Sequence, residues 1–111
     1  MSGYRLIDAA DLPESPLDAS AIFHASIIPQ VRTALVSGDV VIGFASAAHS
    51  HAAWRLAAIQ ELAREAAPRR VNALAGPTGA GQDSALAYLA SAPGVTGQLL
   101  QVMAIRRKVA R

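Results

Sequence analysis

The sequence predicts a small three-layer α/β domain built on a four-stranded, all-parallel sheet. Two observations carry this expectation. Short apolar, β-branched runs alternate with longer segments of helical spacing, in the order βαβαβαβ. The run Val40-Val41-Ile42-Gly43-Phe44-Ala45 shows no polar alternation, as befits an inner strand buried on both faces. Connections of helix length between successive strands imply right-handed crossovers. The 111 residues suffice for one hydrophobic core and one domain, 1–111, not two. With 52% apolar and 16% charged residues, the chain is too apolar for a disordered one. Aromatics are only 5%, so Ala, Val, Leu and Ile must build the core. The absence of cysteine excludes disulfides, thiolate metal sites and a Cys nucleophile.

Tyr4–Ala9 alternates and reads as the first strand, ending in a loop at Asp11-Leu12-Pro13. Pro16 suits the first turn of a helix, where its missing N–H has no partner anyway. Ile22, Phe23, Ile27, Ile28, Val31 and Leu35 then recur at helical spacing, so Ala19–Val36 is expected to be helical with a kink at Pro29. Val40–Ala45 is the second strand. Ala52–Ala67 is a second helix, with Glu61 and Glu65 spaced to pair with Arg64 and Arg69, and Pro68 ends it. Arg70–Ala75 is the third strand, followed by a glycine-rich loop, Gly76–Gly81. Asp83 is placed to cap a short helix through Leu86 and Leu89. Gly97–Val102 is the last strand.

Three ordered stretches carry a resemblance. Leu62-Ala63-Arg64-Glu65-Ala66-Ala67-Pro68 leads into Arg70-Val71-Asn72-Ala73-Leu74. Leu86-Ala87-Tyr88-Leu89-Ala90-Ser91 follows, then Val95-Thr96-Gly97-Gln98-Leu99-Leu100-Gln101-Val102. In order and spacing they resemble the C-terminal half of the short-chain dehydrogenase/reductase family, and the likeness extends over most of residues 20–102. The resemblance implies a half-Rossmann domain whose sheet order follows strand order. It also implies that helices 19–36 and 52–67 bury against a second subunit. The family's glycine-rich dinucleotide turn has no counterpart in this sequence, so no NAD(P) cofactor is expected. Counting back from Leu62, the family's catalytic Tyr falls on Ala48 and its Lys on Ala52. Alanine has no ionisable group, so the family's proton transfer does not carry over.

Ser46, His49, His51 and Trp54 cluster where the family's active site opens, and they are the ligand-binding candidates. A metal at His49 and His51 is not expected, because no carboxylate lies nearby in sequence. Ser46 as a nucleophile lacks an identified orienting group and oxyanion site. Gly76–Asp83 resembles a phosphate loop, but Gln82 stands where the lysine belongs and Asp83 would repel phosphate. His24 reads as a helix-packing or interface histidine.

Net charge is +2, with five acids and two bases before residue 46 and eight bases and three acids after it. Arg106, Arg107, Lys108 and Arg111 form a basic tail, read as a solvated terminus, so nucleic-acid binding is not expected. The N-terminus lacks the apolar stretch of a signal peptide, and no run is long enough to span a membrane, so the expected location is cytoplasmic. The function expected is a catalytically degenerate, self-associating interaction module. It would dimerise through helices 19–36 and 52–67 or through edge strand 4–9, or dock on another protein. The alternative is a small-ligand-binding protein or minor oxidoreductase with a crevice at Ser46–Trp54 completed across a dimer.

Overall fold

The computed structural model describes residues 4–103. Strands β1 (Tyr4–Ala9), β2 (Asp39–Phe44), β3 (Val71–Ala75) and β4 (Leu99–Gln101) form one parallel sheet in the order β1-β2-β3-β4. Helices α1 (Pro16–Ile22), α2 (Ile28–Leu35) and α3 (Ala52–Ala66) cover one face, and α4 (Ala80–Ala90) packs on the other. The expected three-layer, all-parallel architecture is therefore the observed one. The basic tail lies outside the described residues.

Alternation along β2 divides the core. Val40, Ile42 and Phe44 pack with Phe23, Val31, Ile59 and Leu62, whereas Val41 joins Leu74, Leu89 and Val102 beneath α4. Each Val, Leu, Ile or Phe so buried contributes about 1.5–3 kcal/mol by removal from water. The larger cluster therefore dominates stability. It fixes the position of α3, whose first residues shape the site.

The helix expected over Ala19–Val36 begins earlier and is not one α-helix. Ser15 caps α1, its Oγ accepting from the Asp18 N–H at 3.3 Å, and Pro16 opens the helix. A π-helical turn at Phe23–Ile27 then separates α1 from α2, with the Ile28 N–H donating to the Phe23 carbonyl. This wider turn makes room for the Pro29 ring, which would clash with the carbonyl four residues back in a regular helix. A kink is expected at Pro29, and the structure shows a π-helical turn just before it.

Two polar clusters tie the sheet to its connections. Arg70 donates through Nε to Asp39 Oδ2 and through its backbone N–H to Oδ1, both at 2.9 Å. Its Nη1 also donates to the Leu89 and Ala92 carbonyls at 3.0 and 2.7 Å. One guanidinium thus joins β2 to the end of α4, where unpaired carbonyls favour a cation. Buried Asn72 donates to the Val95 carbonyl at 2.9 Å and accepts from the Gln98 N–H at 3.0 Å, holding the loop before β4.

Other boundaries differ from expectation for local reasons. β4 starts at Leu99, not Gly97, because Gly97 adopts φ +73°, outside the strand region. Asp83 does not cap α4. The helix begins at Ala80 after Gly79, and the Asp83 N–H donates to the Gly79 carbonyl at 3.0 Å as part of the first turn. Glu61 pairs with Arg64 as spaced. Glu65 pairs with Arg32 instead of Arg69, whose Nη2 donates to the Val36 carbonyl at 3.2 Å.

Candidate functional site

A crevice opens where β2 hands over to α3. After Phe44 the chain runs through Ala45–Ala48, makes one 3-10 turn at His49–His51, and enters α3 at Ala52. In a parallel sheet this carboxyl end is where connecting loops part and ligands bind. The larger compartment, about 460 Å³, is lined by Ala47, Ala48, His49, Ala52, Leu56 and Gln101, among others. A smaller one of about 220 Å³ lies towards Ser46 and the loop after β1. Ala47, Ala48, His51 and Arg55 border both.

The four sequence candidates do not converge. Ser46 is exposed in the smaller compartment, and exposed His49 lines the larger. His51 is 5% exposed and committed on both nitrogens. Its Nε2 donates to the Glu14 carbonyl at 2.8 Å, and its Nδ1 accepts from Trp54 Nε1 at 3.1 Å. Those two bonds define the Nε2–H tautomer and make His51 a latch between the loop after β1 and the head of α3. Trp54 turns away from the crevice. Its ring meets Phe23 and Phe44 edge-on, with centroids 5.4 and 5.8 Å apart, and it lines a separate groove between the helices. Among the described residues no three His, Asp or Glu side chains are grouped to hold a metal.

Sequence reasoning overlooked Arg55. It is 7% exposed, although it carries a full charge. Nη1 donates to the Ala45 carbonyl at 2.9 Å, and the guanidinium carbon sits 4.4 Å from the centre of the Phe44 ring. Nε is buried with no partner. Burial pulls its pKa below the usual arginine value, and no carboxylate pairs with it among the described residues. The available signal was its position: Arg55, Ala58, Ile59 and Leu62 form one helical stripe, and the last three are core residues.

A second concavity, about 690 Å³, lies between α1–α2 and α3 on the outer face. Ile28, Ala58, Leu62 and Trp54 line it, together with Arg32, Glu61, Arg64 and Glu65. Arg32 spans it, donating through Nε and Nη2 to the two Glu65 oxygens at 2.8 Å each. This paired bond raises the Arg32 pKa and lowers that of Glu65. His24 also lines the groove, its Nδ1 donating to the Ser20 carbonyl at 2.7 Å.

The Gly76–Asp83 segment is a turn and the first turn of α4, and the segment itself has no lysine to serve as a phosphate ligand. A four-stranded parallel sheet with helices on both faces and a crevice at its carboxyl end defines a Rossmann-like α/β domain. The family model described as "Short chain dehydrogenase-like protein" matches residues 7–102, and the chain belongs to that family. No curated protein and no solved structure gives a match. No helix among the described residues is long and apolar enough to cross a membrane.

Proposed function

We propose that this chain is a non-catalytic short-chain-dehydrogenase-like domain that works by self-association. The observation that carries the first half is alanine at both positions where counting back from Leu62 puts the family's Tyr and Lys. Ala48 and Ala52 line the crevice at the head of α3, and neither can give or take a proton. Of the two imidazoles at the crevice, His51 is held by Glu14 and Trp54, and His49 is exposed in the larger compartment.

The groove between α1–α2 and α3 supports the second half, with a second copy of the chain as its occupant. An isologous contact places the same patch on both partners, so any charges on it must be of both signs. Arg32, Arg64, Glu61 and Glu65 around an apolar floor meet that requirement. The edge of β1 suits pairing less well, because exposed Arg5 and Asp8 lie along it and charged edges resist strand addition.

Light-scattering mass measurement on wild type and Ala57→Glu tests the reading. Ala57 lines the groove and is exposed, so the substitution leaves the core intact. A dimeric wild type and a folded, monomeric variant are expected. A monomeric wild type, or a variant that dimerises equally well, overturns the proposal.

A further inference from the structure

We propose that the crevice at the head of α3 is a binding site for a small monocarboxylate with an apolar tail, held through Arg55. This inference stands apart from self-association, since the crevice and the interhelical groove share no lining residue.

The starting point is a charge without a counter-charge. A buried guanidinium is normally matched by a carboxylate, because desolvation of an unpaired ion is costly. Arg55 has one carbonyl bond, one aromatic face and a partnerless Nε. Among the described residues its Nη2 has no hydrogen-bond partner either, while Nη1 is anchored on Ala45. The side chain is thus held in place with donor capacity unused, and it borders both compartments of the crevice.

The surroundings specify the ligand. Among the described residues no Asp or Glu lines the larger compartment, so none of them repels an anion there. Glu14 borders only the smaller compartment and forms no ion pair with Arg55, which places the anion on the larger side. Ala47, Ala48, Ala52, Leu56 and Leu99 give that side an apolar wall, with His49 and Gln101 as further polar groups. One guanidinium matches the single charge and planar fork of a carboxylate. A phosphate dianion would want a second cation, and among the described residues no other Arg or Lys lines the compartment. The space next to Ala48 and Ala52 is where larger side chains at those positions would project. Their small size leaves room for the tail.

The test is calorimetric titration of the full chain with hexanoate, hexanol and inorganic phosphate. Arg55→Met and Ala52→Leu are titrated alongside wild type. Arg55→Met removes the cation but keeps a side chain that packs in an apolar site. Ala52→Leu fills the crevice from an exposed position and leaves Arg55 in place. Hexanoate is expected to bind wild type and to weaken about tenfold or more in Arg55→Met, as for loss of a charge-assisted hydrogen bond. It should also weaken in Ala52→Leu, which covers the case of an Arg55→Met chain that does not fold. The proposal is overturned if hexanol binds as well as hexanoate, if phosphate binds more tightly, if a folded Arg55→Met binds hexanoate as well as wild type, if Ala52→Leu does not weaken it, or if no binding occurs.

Discussion

Replacing Asp39 with alanine should strip Arg70 of its charged partner and loosen β2, β3 and α4 together. The Asp39 carboxylate accepts from Arg70 Nε and from the Arg70 backbone N–H, both at 2.9 Å, and the two side chains are only 19% and 14% exposed. Hydrogen bonds involving charged groups contribute about 1.5–3 kcal/mol, and breaking one side of a fully buried pair costs about 3–5 kcal/mol. Residual exposure lets water replace part of the loss, and Arg70 keeps its bonds to the Leu89 and Ala92 carbonyls. A destabilisation of about 2–3 kcal/mol is therefore expected, which lowers the melting temperature of a domain this size by roughly 10–15 °C. Urea unfolding followed by circular dichroism would measure it, with Arg70→Ala and the double variant closing a thermodynamic cycle. Asp39→Asn retains an acceptor for the Arg70 N–H and should lose less than Asp39→Ala. A change under about 0.5 kcal/mol, the range of ordinary surface substitutions, would refute the reasoning. So would strict additivity of the two single variants.

Three further outcomes are expected. Asn72→Ala removes a buried amide that holds the Val95 carbonyl and the Gln98 N–H, and should cost about 1–3 kcal/mol in urea unfolding. Gly76→Ala combines φ +144° with a Cβ that would collide with the Val102 carbonyl oxygen, so faster amide exchange around Val102 is expected by mass spectrometry. Glu65 has a folded pKa below its unfolded value. Its contribution is therefore present above the ordinary glutamate pKa and disappears as pH falls through the folded value. Both side chains of this pair are half exposed, so the effect is small, and Glu65→Gln should flatten the acid limb of the stability–pH curve only at low salt.

Much of the fold was legible because its cause is local. The β-branched run at Val40–Ala45 and the short strand read at Arg70–Ala75 place β2 and β3 within a residue, and the lack of polar alternation in Val40–Ala45 implied a parallel sheet covered on both faces. Pro29 signalled a break in the first helix, but not that Phe23–Ile27 would absorb it as a π-helical turn. Gly97 and Gly79 shifted the starts of β4 and α4 through turn geometry that periodicity does not encode. The site was less legible because its bonds are non-local. His51 was read as a ligand-binding candidate, but it is buried and bonded to the carbonyl of Glu14, far away in sequence. Arg55 had a local signal, a charge on an apolar stripe, but its partnerless Nε and its place over Phe44 depend on tertiary packing. Trp54 adjoins the candidates in sequence, yet it faces the other concavity because helical rotation carries it round.

The most direct test of a non-catalytic, self-associating domain is calorimetric titration of the purified chain with NADH and NADPH, with its molar mass determined in the same buffer. The expected result is no binding of either nucleotide and a mass twice the 11.5 kDa of the chain. Micromolar binding of either nucleotide would contradict the non-catalytic reading, and a monomeric mass would contradict self-association.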